Sequence, residues 1–134
     1  GSPKDLYNFP KNKFVANFIG DANDVTAEII QKQSNTYSLK LAEMNIKIES
    51  NRDLNDKVSL ALRPEKIIIE RTDNSNCIHA KIKSASFVGS SYQYILNSKI
   101  GELYVVSGDT NDIFKVGEEV FLSIDEKDIK ILND

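Results

Sequence analysis

Cysteine and histidine occur once each, at Cys77 and His79, in a chain of 134 residues. A single cysteine forms no internal disulfide, so the sequence is not a stapled secreted domain and a reducing cytosol is its simpler home. With one histidine, a Ser-His-Asp or Cys-His nucleophile has only His79 to serve as base. A tetrahedral zinc site needs four ligands, and none is spaced to help this pair. The expectation is that Cys77 is turn or core filler and that His79 lies on the polar face opposite Ile78 and Ala80; no metal is expected. Long apolar runs are also missing. The longest aliphatic stretch is Ile67-Ile68-Ile69, against the about 18–20 residues that cross a bilayer, and the N-terminus has no signal-peptide core. A basic excess is missing too: 17 Lys and Arg stand against 20 Asp and Glu, for a net charge of −3, which disfavours nucleic acid as a general partner. The six glycines never precede a lysine, so neither a phosphate-cradling loop nor a dinucleotide fingerprint is available. Twenty carboxylates permit many acid–base pairings, and nothing singles one out.

What remains is an ordinary globular composition, 40% hydrophobic and 28% charged, with three prolines, at a length suited to one compact domain. Ser2-Pro3 followed by Asp5 resembles a helix start, Pro10 forces a break, and Phe14/Phe18 with Val15/Ile19 form i,i+4 pairs before Gly20. These signals predict a bent helical pair over residues 3–19. From Asp21 the apolar period changes to two, the mark of strands with one buried face. Val25-Ala27-Ile29, Tyr37-Leu39-Leu41, Ile46-Ile48, Val58-Leu60-Leu62 and Ile78-Ala80-Ile82 alternate with polar residues. Residues 92–96 and 103–106 read as strands buried more on both sides, and Val120-Leu122-Ile124 with Ile129-Ile131 close the chain. That makes nine or ten strands, separated by polar turns such as 72–76 and 108–112.

The two halves of the strand region are alike. Val58 to Ile69 lies over Val120 to Ile131 at an offset of 62, each core-facing position of the first meeting an aliphatic in the second. Upstream, Val25-Thr26-Ala27-Glu28-Ile29 matches Ile78-His79-Ala80-Lys81-Ile82 at an offset of 53. Agreement in order across both pairs indicates duplication. The expected fold is therefore mainly β: two small OB-like Greek-key barrels that stack or share strands, preceded by a short helical segment.

Three segments stand out. Arg63-Pro64-Glu65 ends a strand: the residue before proline is held extended, proline suits the first position of a helical turn, and Glu65 faces its positive end. Arg63 is also a planar donor that can pair with a carboxylate across an interface. Phe87-Val88-Gly89-Ser90-Ser91-Tyr92 places glycine and serines between strands, as a bulge or corner does. Tyr92 and Tyr94 share a face, suited to a barrel core or to stacking on bases.

Together these segments resemble a known family. Gly1-Ser2-Pro3-Lys4-Asp5-Leu6-Tyr7-Asn8-Phe9-Pro10, with Asn12 through Asn23, is similar to the G-x-P-x-E-[IL]-Y passage and its F-V-A-x-F-I-G continuation that end the nucleotide-binding domain of bacterial ABC importer ATPase subunits. Arg63-Pro64-Glu65 resembles the R-P-E motif of the regulatory region beyond it, and Phe87-x-Gly89 with Tyr92 or Tyr94 its F-x-G segment. The whole looks like a TOBE, or transport-associated OB, domain, with Asp5 in place of the usual glutamate. The resemblance implies residues 1–20 as the helical tail of a nucleotide-binding domain and 21–134 as a tandem OB-like regulatory domain. It implies a non-catalytic, dimerising part of an ATPase subunit, with ATP and magnesium handled elsewhere in that subunit and no cofactor here. The cargo it suggests is spermidine or putrescine, with ferric iron, sulfate or sugar as alternatives. Implied partners are its own nucleotide-binding domain, a second copy and, through the subunit, a permease, in the cytoplasm at the inner membrane, without membrane insertion. Arg63, Pro64, Glu65, Phe87, Gly89 and Tyr92 become candidate interface residues, and Phe14, Val15, Phe18 and Ile19 an inter-domain joint. Two other readings remain: a small-ligand module for an oxyanion or polyamine, and a single-strand nucleic-acid-binding OB protein.

Overall fold

Alternation of apolar and polar side chains decides which segments become strands, because only one face of each can be buried. The computed structural model of the chain describes residues 22–132. The helical pair expected over 3–19 and the joint at Phe14, Val15, Phe18 and Ile19 lie outside these residues. Ten strands form among the described residues: β1 (Asn23–Gln33), β2 (Thr36–Leu41), β3 (Met44–Glu49), β4 (Lys57–Leu62), β5 (Ile68–Glu70), β6 (Ile78–Phe87), β7 (Tyr92–Ser98), β8 (Gly101–Ser107), β9 (Glu119–Ser123) and β10 (Ile129–Ile131). Short 3₁₀ turns at Pro64–Lys66 and Glu126–Asp128 precede β5 and β10. In β1, Val25 and Ala27 are buried while Asp24, Thr26 and Glu28 face out, as period two requires.

The strands make two five-stranded antiparallel sheets in the orders β10-β4-β1-β2-β3 and β5-β9-β6-β7-β8. Each is a curled, OB-like half-barrel. The orders contain an exchange. β5, from the first half of the sequence, hydrogen-bonds to β9 of the second, and β10 returns from the second half to β4 of the first. The halves therefore share strands rather than merely stack.

Register confirms the duplication residue by residue. Val25 faces Leu60 and Ala27 faces Val58 in one sheet; Ile78 faces Leu122 and Ala80 faces Val120 in the other. The exchanged strands match as well, Ile131 opposite Leu60 and Ile69 opposite Leu122. Both copies carry a bulge at the same place, between Ile29 and Gln31 and between Ile82 and Ser84. The freed amide of Ile29 donates to Asp56 O, and that of Ile82 to Glu118 O. A bulge bends a strand sharply, which lets each long first strand wrap its own core. One apolar cluster draws on both sheets, including Leu39, Leu41, Leu60, Leu96 and Leu122.

Two buried tyrosines are also equivalent. Leu39 faces Ile29 as Leu96 faces Ile82, so Tyr37 corresponds to Tyr94. The Tyr37 hydroxyl donates to Arg52 O at 2.8 Å and accepts Leu54 N–H at 3.1 Å. The Tyr94 hydroxyl accepts Phe114 N–H at 3.1 Å. Each pins the long loop before the fourth strand of its half.

Candidate functional site

The turn after β4 forms because Pro64 fixes its own φ at the first position of the 3₁₀ helix and holds Arg63 extended, at φ −74° and ψ 131°. Pro64 and Ile67 are buried; Arg63 and Glu65 point outward as a pair, Nε to Oε2 2.9 Å. Burial opposes ionisation of Glu65, yet hydrogen bonds from Arg63 and from its own backbone amide, with the charges of Arg63 and Lys66, hold it below the usual carboxylate range. The carboxylate partner of Arg63 is thus its own neighbour two residues on.

The equivalent turn, Glu126–Asp128, is built differently. Asp125 replaces arginine and its carboxylate accepts Lys127 N–H at 3.1 Å, a capping bond the first turn lacks. Each turn borders a groove. One, of about 560 Å³, runs between β3 and β10 and presents Lys47, Lys127 and Lys130 with Glu49 and Glu126. The other, of about 320 Å³, runs beside β5 and presents Glu65, Asp109 and Asp112 with Ile68. At the offset of 62, Glu65 matches Lys127 and Ile68 matches Lys130. Duplication has kept a groove beside each turn but neither its size nor its charge: the first mixes three lysines with two glutamates, and the second presents three carboxylates, of which Glu65 and Asp112 pair with Arg63 and Arg71.

Phe87, Gly89 and Tyr92 come together at the tip of the β6–β7 hairpin. Phe87 pairs with Tyr92 across it, and Val88 N–H donates to Ser91 O. Gly89 has φ 97°, a backbone that L side chains rarely adopt. The corner expected here is thus a hairpin turn, while the bulge that bends the strand sits at 82–84. Phe87 is 55% exposed and Val88 37%. The rings of Phe87 and Tyr92 lie 5.3 Å apart, and Tyr92 stacks on Tyr94 at 5.9 Å. Tyr94 is fully buried, so its half of the tyrosine pair belongs to the core. The tip and the Arg63–Glu65 turn are on different elements, with β8 between them: Ser107, opposite Tyr92, lines the same groove as Glu65.

Cys77 is buried and His79 exposed, as the sequence suggested. The expectation that no further ligand is spaced to join them needs correction: the turn 73–76 folds Asp73 back onto both. Desolvation, then the hydrogen bond to Asp73, raises the Cys77 thiol above its ordinary range.

Sequence reasoning passed over three further residues. Asn23 and Asn76, each two positions before the first matched residue of the 53-residue offset, clip the edge strands of the opposite halves. Asn23 bridges β1 to Tyr104 of β8, and Asn76 bonds to Asn45 of β3. Arg71, just beyond β5, reaches Asp112 at 2.7 Å and Ile113 O at 3.0 Å, pairs with Glu118, and lies 4.2 Å over the Phe114 ring. It ties the first half to the long loop of the second. The repeated asparagine was a usable signal; one arginine among many charges was not.

The family model for the TOBE domain matches residues 60–132, from β4 through both 3₁₀ turns to the end of β10. The chain belongs to the TOBE domain family. Among curated relatives, the spermidine/putrescine import ATP-binding protein PotA of Ruegeria pomeroyi is 31% identical over 139 residues, covering 100% of this chain and 38% of its own length. PotA of Mesomycoplasma hyopneumoniae is 34% identical, covering 97% of this chain and 28% of its own length. The Fe(3+) ions import ATP-binding protein FbpC of Agrobacterium fabrum is 23% identical, covering 99% of this chain and 37% of its own length. This TOBE chain thus spans well under half the length of those relatives. A solved structure of the cytoplasmic molybdate-binding protein ModG with molybdate bound shares the fold at a TM-score of 0.67 and 8% identity, over 84% of this chain and 96% of that one. Among the described residues, no helix is long and apolar enough to cross a membrane.

Proposed function

We propose that this TOBE chain is the non-catalytic regulatory and dimerisation module of the ATP-binding subunit of a bacterial ABC importer, working at the cytoplasmic side of the inner membrane. The observation that carries the reading is the family match over 60–132, joined to relatives named as import ATP-binding proteins that align along nearly the whole chain. The fold supports it physically. Exchanged strands lock the halves into one block, which suits a scaffold that must hold two ATPase domains while they open and close. Arg63, Glu65 and the Phe87–Tyr92 tip are its contact points to a nucleotide-binding domain or a second copy. Phe14, Val15, Phe18 and Ile19, outside the described residues, are assigned by the same reading as the joint to that ATPase domain, where ATP and magnesium would bind. Spermidine or putrescine is the preferred cargo and ferric iron the alternative: three PotA proteins are 29–34% identical, and iron importers 23% and 27%.

The reading frame upstream of Gly1 is expected to encode a Walker loop and signature motif. Removing residues 22–132 from that subunit should leave ATP hydrolysis in place, weaken its dimer in light scattering and uncouple hydrolysis from delivery of cargo. Unchanged dimerisation and coupling would show the reading to be wrong.

A second reading, a small-ligand sensor, is favoured by the groove beside β5, where Asp109 and the arginine-paired Glu65 and Asp112 offer carboxylates to an amine cation. Calorimetry with spermidine and putrescine, and with sulfate and molybdate for the mixed-charge groove between β3 and β10, separates it from a purely structural role: heat from none of them eliminates the sensor.

A further inference from the structure

The turn between the two halves gathers three different donor atoms. Asp73, Cys77 and His79 each present one ligand atom, and these atoms all lie within 4.8 Å of one another. Cys77 Sγ is 3.1 Å from Asp73 Oδ1, and His79 Nε2 is 3.4 Å from Asp73 Oδ2. Tetrahedral zinc bonds of about 2.0–2.3 Å place neighbouring donors about 3.3–3.8 Å apart; the His79–Asp73 spacing already lies in that range. Cys77 touches the other carboxylate oxygen and the widest pair lies within 4.8 Å, so the set closes on an ion by a rotation of the Asp73 carboxylate and an approach of up to about 1 Å. The geometry points to a site for a divalent late-transition cation, zinc by its sulfur, nitrogen and oxygen donors, formed by Asp73 Oδ2, Cys77 Sγ and His79 Nε2.

The surroundings hold these atoms as such a site requires. Ser75, at φ 76°, turns the chain so that its N–H donates to Asp73 Oδ1 at 2.8 Å; Oδ2 is the oxygen that faces the histidine. Asn76 is clipped to the backbone of Asn45 by bonds of 2.8 and 3.0 Å, which fixes the loop one residue before the cysteine. The His79 ring stands edge-on to Phe121 at 4.9 Å, and its Nδ1 lies 3.9 Å from Glu43 Oε2. Glu43 is itself held by Lys99 at 3.3 Å and by the His79 backbone N–H at 3.2 Å. A carboxylate hydrogen-bonded to the non-ligating nitrogen is the usual second partner of a metal-bound histidine, fixing its tautomer and orientation; Glu43 stands on that side, beyond hydrogen-bond length, and takes that role on a closer approach. Cys77 is 3% exposed, whereas the side chains of His79 and Asp73 are about half exposed, so an ion enters from the histidine side and a water completes its fourth position. Binding exchanges one proton: the Cys77 S–H bond breaks, the proton leaves to solvent, and the sulfur bonds the cation as thiolate. The site uses Glu43 of one half with Cys77 and His79 of the other, so an ion there would brace the junction between them. It does not depend on the importer reading.

Cobalt(II) is the direct probe, because a cobalt–thiolate bond absorbs in the near ultraviolet. The untagged, reduced protein titrated with Co²⁺ should develop that absorption to one equivalent, and one equivalent of Zn²⁺ should erase it. Cys77→Ser should abolish the band. His79→Asn and Asp73→Asn, at exposed positions where circular dichroism can verify the fold, should each weaken Co²⁺ binding at least tenfold, and Glu43→Gln about tenfold as an orienting partner. No band in the native protein, or a band of undiminished affinity in the His79→Asn/Asp73→Asn double variant, overturns the site.

Discussion

The side-chain amide of Asn23 closes a two-bond ring with the backbone of Tyr104, 81 positions away: Tyr104 N–H donates to Oδ1 and Nδ2 donates to Tyr104 O, both at 2.8 Å. Asn23 is 5% exposed and also donates to Leu62 O at 3.1 Å. Asn76 makes the same ring with Asn45 on the opposite edge, in the open. An amide offers one donor side and one acceptor side and so imitates a strand residue. Each asparagine thereby covers part of an edge strand of the other half, where unpaired backbone would otherwise invite another chain.

The pair separates burial from geometry. Asn23→Ala removes three bonds from a buried position and should cost about 2–4 kcal/mol, since carbonyl and amide groups that lose partners away from water carry their full desolvation cost. Asn76→Ala, where water replaces the amide, should cost about 0.5–1 kcal/mol. Urea midpoints at constant slope measure both; equal losses would show that burial does not set the difference.

How far the sequence carried this fold depends on how local each signal is. Alternation at Val25-Ala27-Ile29 or Val58-Leu60-Leu62 is enforced by one buried face, and it placed those strands; the offsets of 62 and 53 placed the duplication. The exchange was not legible, because Ile69 faces Leu122 with the same residue types with which it would face Leu60, and the offset is silent on which copy pairs with which. The bulges at Ile29 and Ile82 leave the apolar spacing almost unaltered. Asp73 was hidden for another reason: with twenty carboxylates in the chain, only the turn at Ser75 decides which one folds back onto Cys77. Arg63, Glu65, Phe87 and Tyr92 stand out as patterns, but that β8 lies between the turn and the hairpin tip belongs to tertiary structure.

Tyr94 gives the structure an alkaline limit. Burial raises its hydroxyl above the ordinary tyrosine range, with the Phe114 amide bond opposing and the Tyr92 and Asp112 charges adding. The folded state therefore keeps the proton after the unfolded chain has begun to lose it, so above about pH 10 the unfolded chain binds fewer protons and stability falls as pH rises. Tyr94→Phe should lower stability at neutral pH by about 1–2 kcal/mol through the orphaned Phe114 amide, and should flatten the decline above pH 10. Thermal unfolding from pH 8 to 11 measures both, and an equally steep decline in the variant would remove Tyr94 as its source.

Phe87 tests whether the hairpin tip is a contact surface. Phe87 is 55% exposed and, among the described residues, its ring packs on the ring of Tyr92, so Phe87→Ser should change the stability of the chain by less than about 1 kcal/mol. In the proposed importer subunit it should weaken association or coupling of hydrolysis to transport. Gly89→Ala is the contrasting change. Space is open around the added carbon, but φ 97° penalises it, by about 1–2 kcal/mol. A Phe87→Ser subunit with native association and coupling would leave the tip without a role in contacts.

The exchanged strands predict a single cooperative unit. Leu122 lies between Ile78 of β6 and Ile69 of β5, while Leu60 lies between Val25 of β1 and Ile131 of β10. Melting the second sheet releases β5, which is tethered directly to the 3₁₀ turn after β4, and melting the first releases β10, so neither half keeps a full sheet once the other is lost. Leu60 and Leu122 are 0% and 1% exposed. Leu60→Ala and Leu122→Ala should each cost about 2–5 kcal/mol by leaving a cavity, and each should shift one common urea transition with the slope unchanged. Fluorescence of the tyrosines and backbone circular dichroism should report the same midpoint in every variant. Two resolved transitions, with each substitution moving a different one, would mean that the halves fold independently and that the exchange contributes little to holding them together.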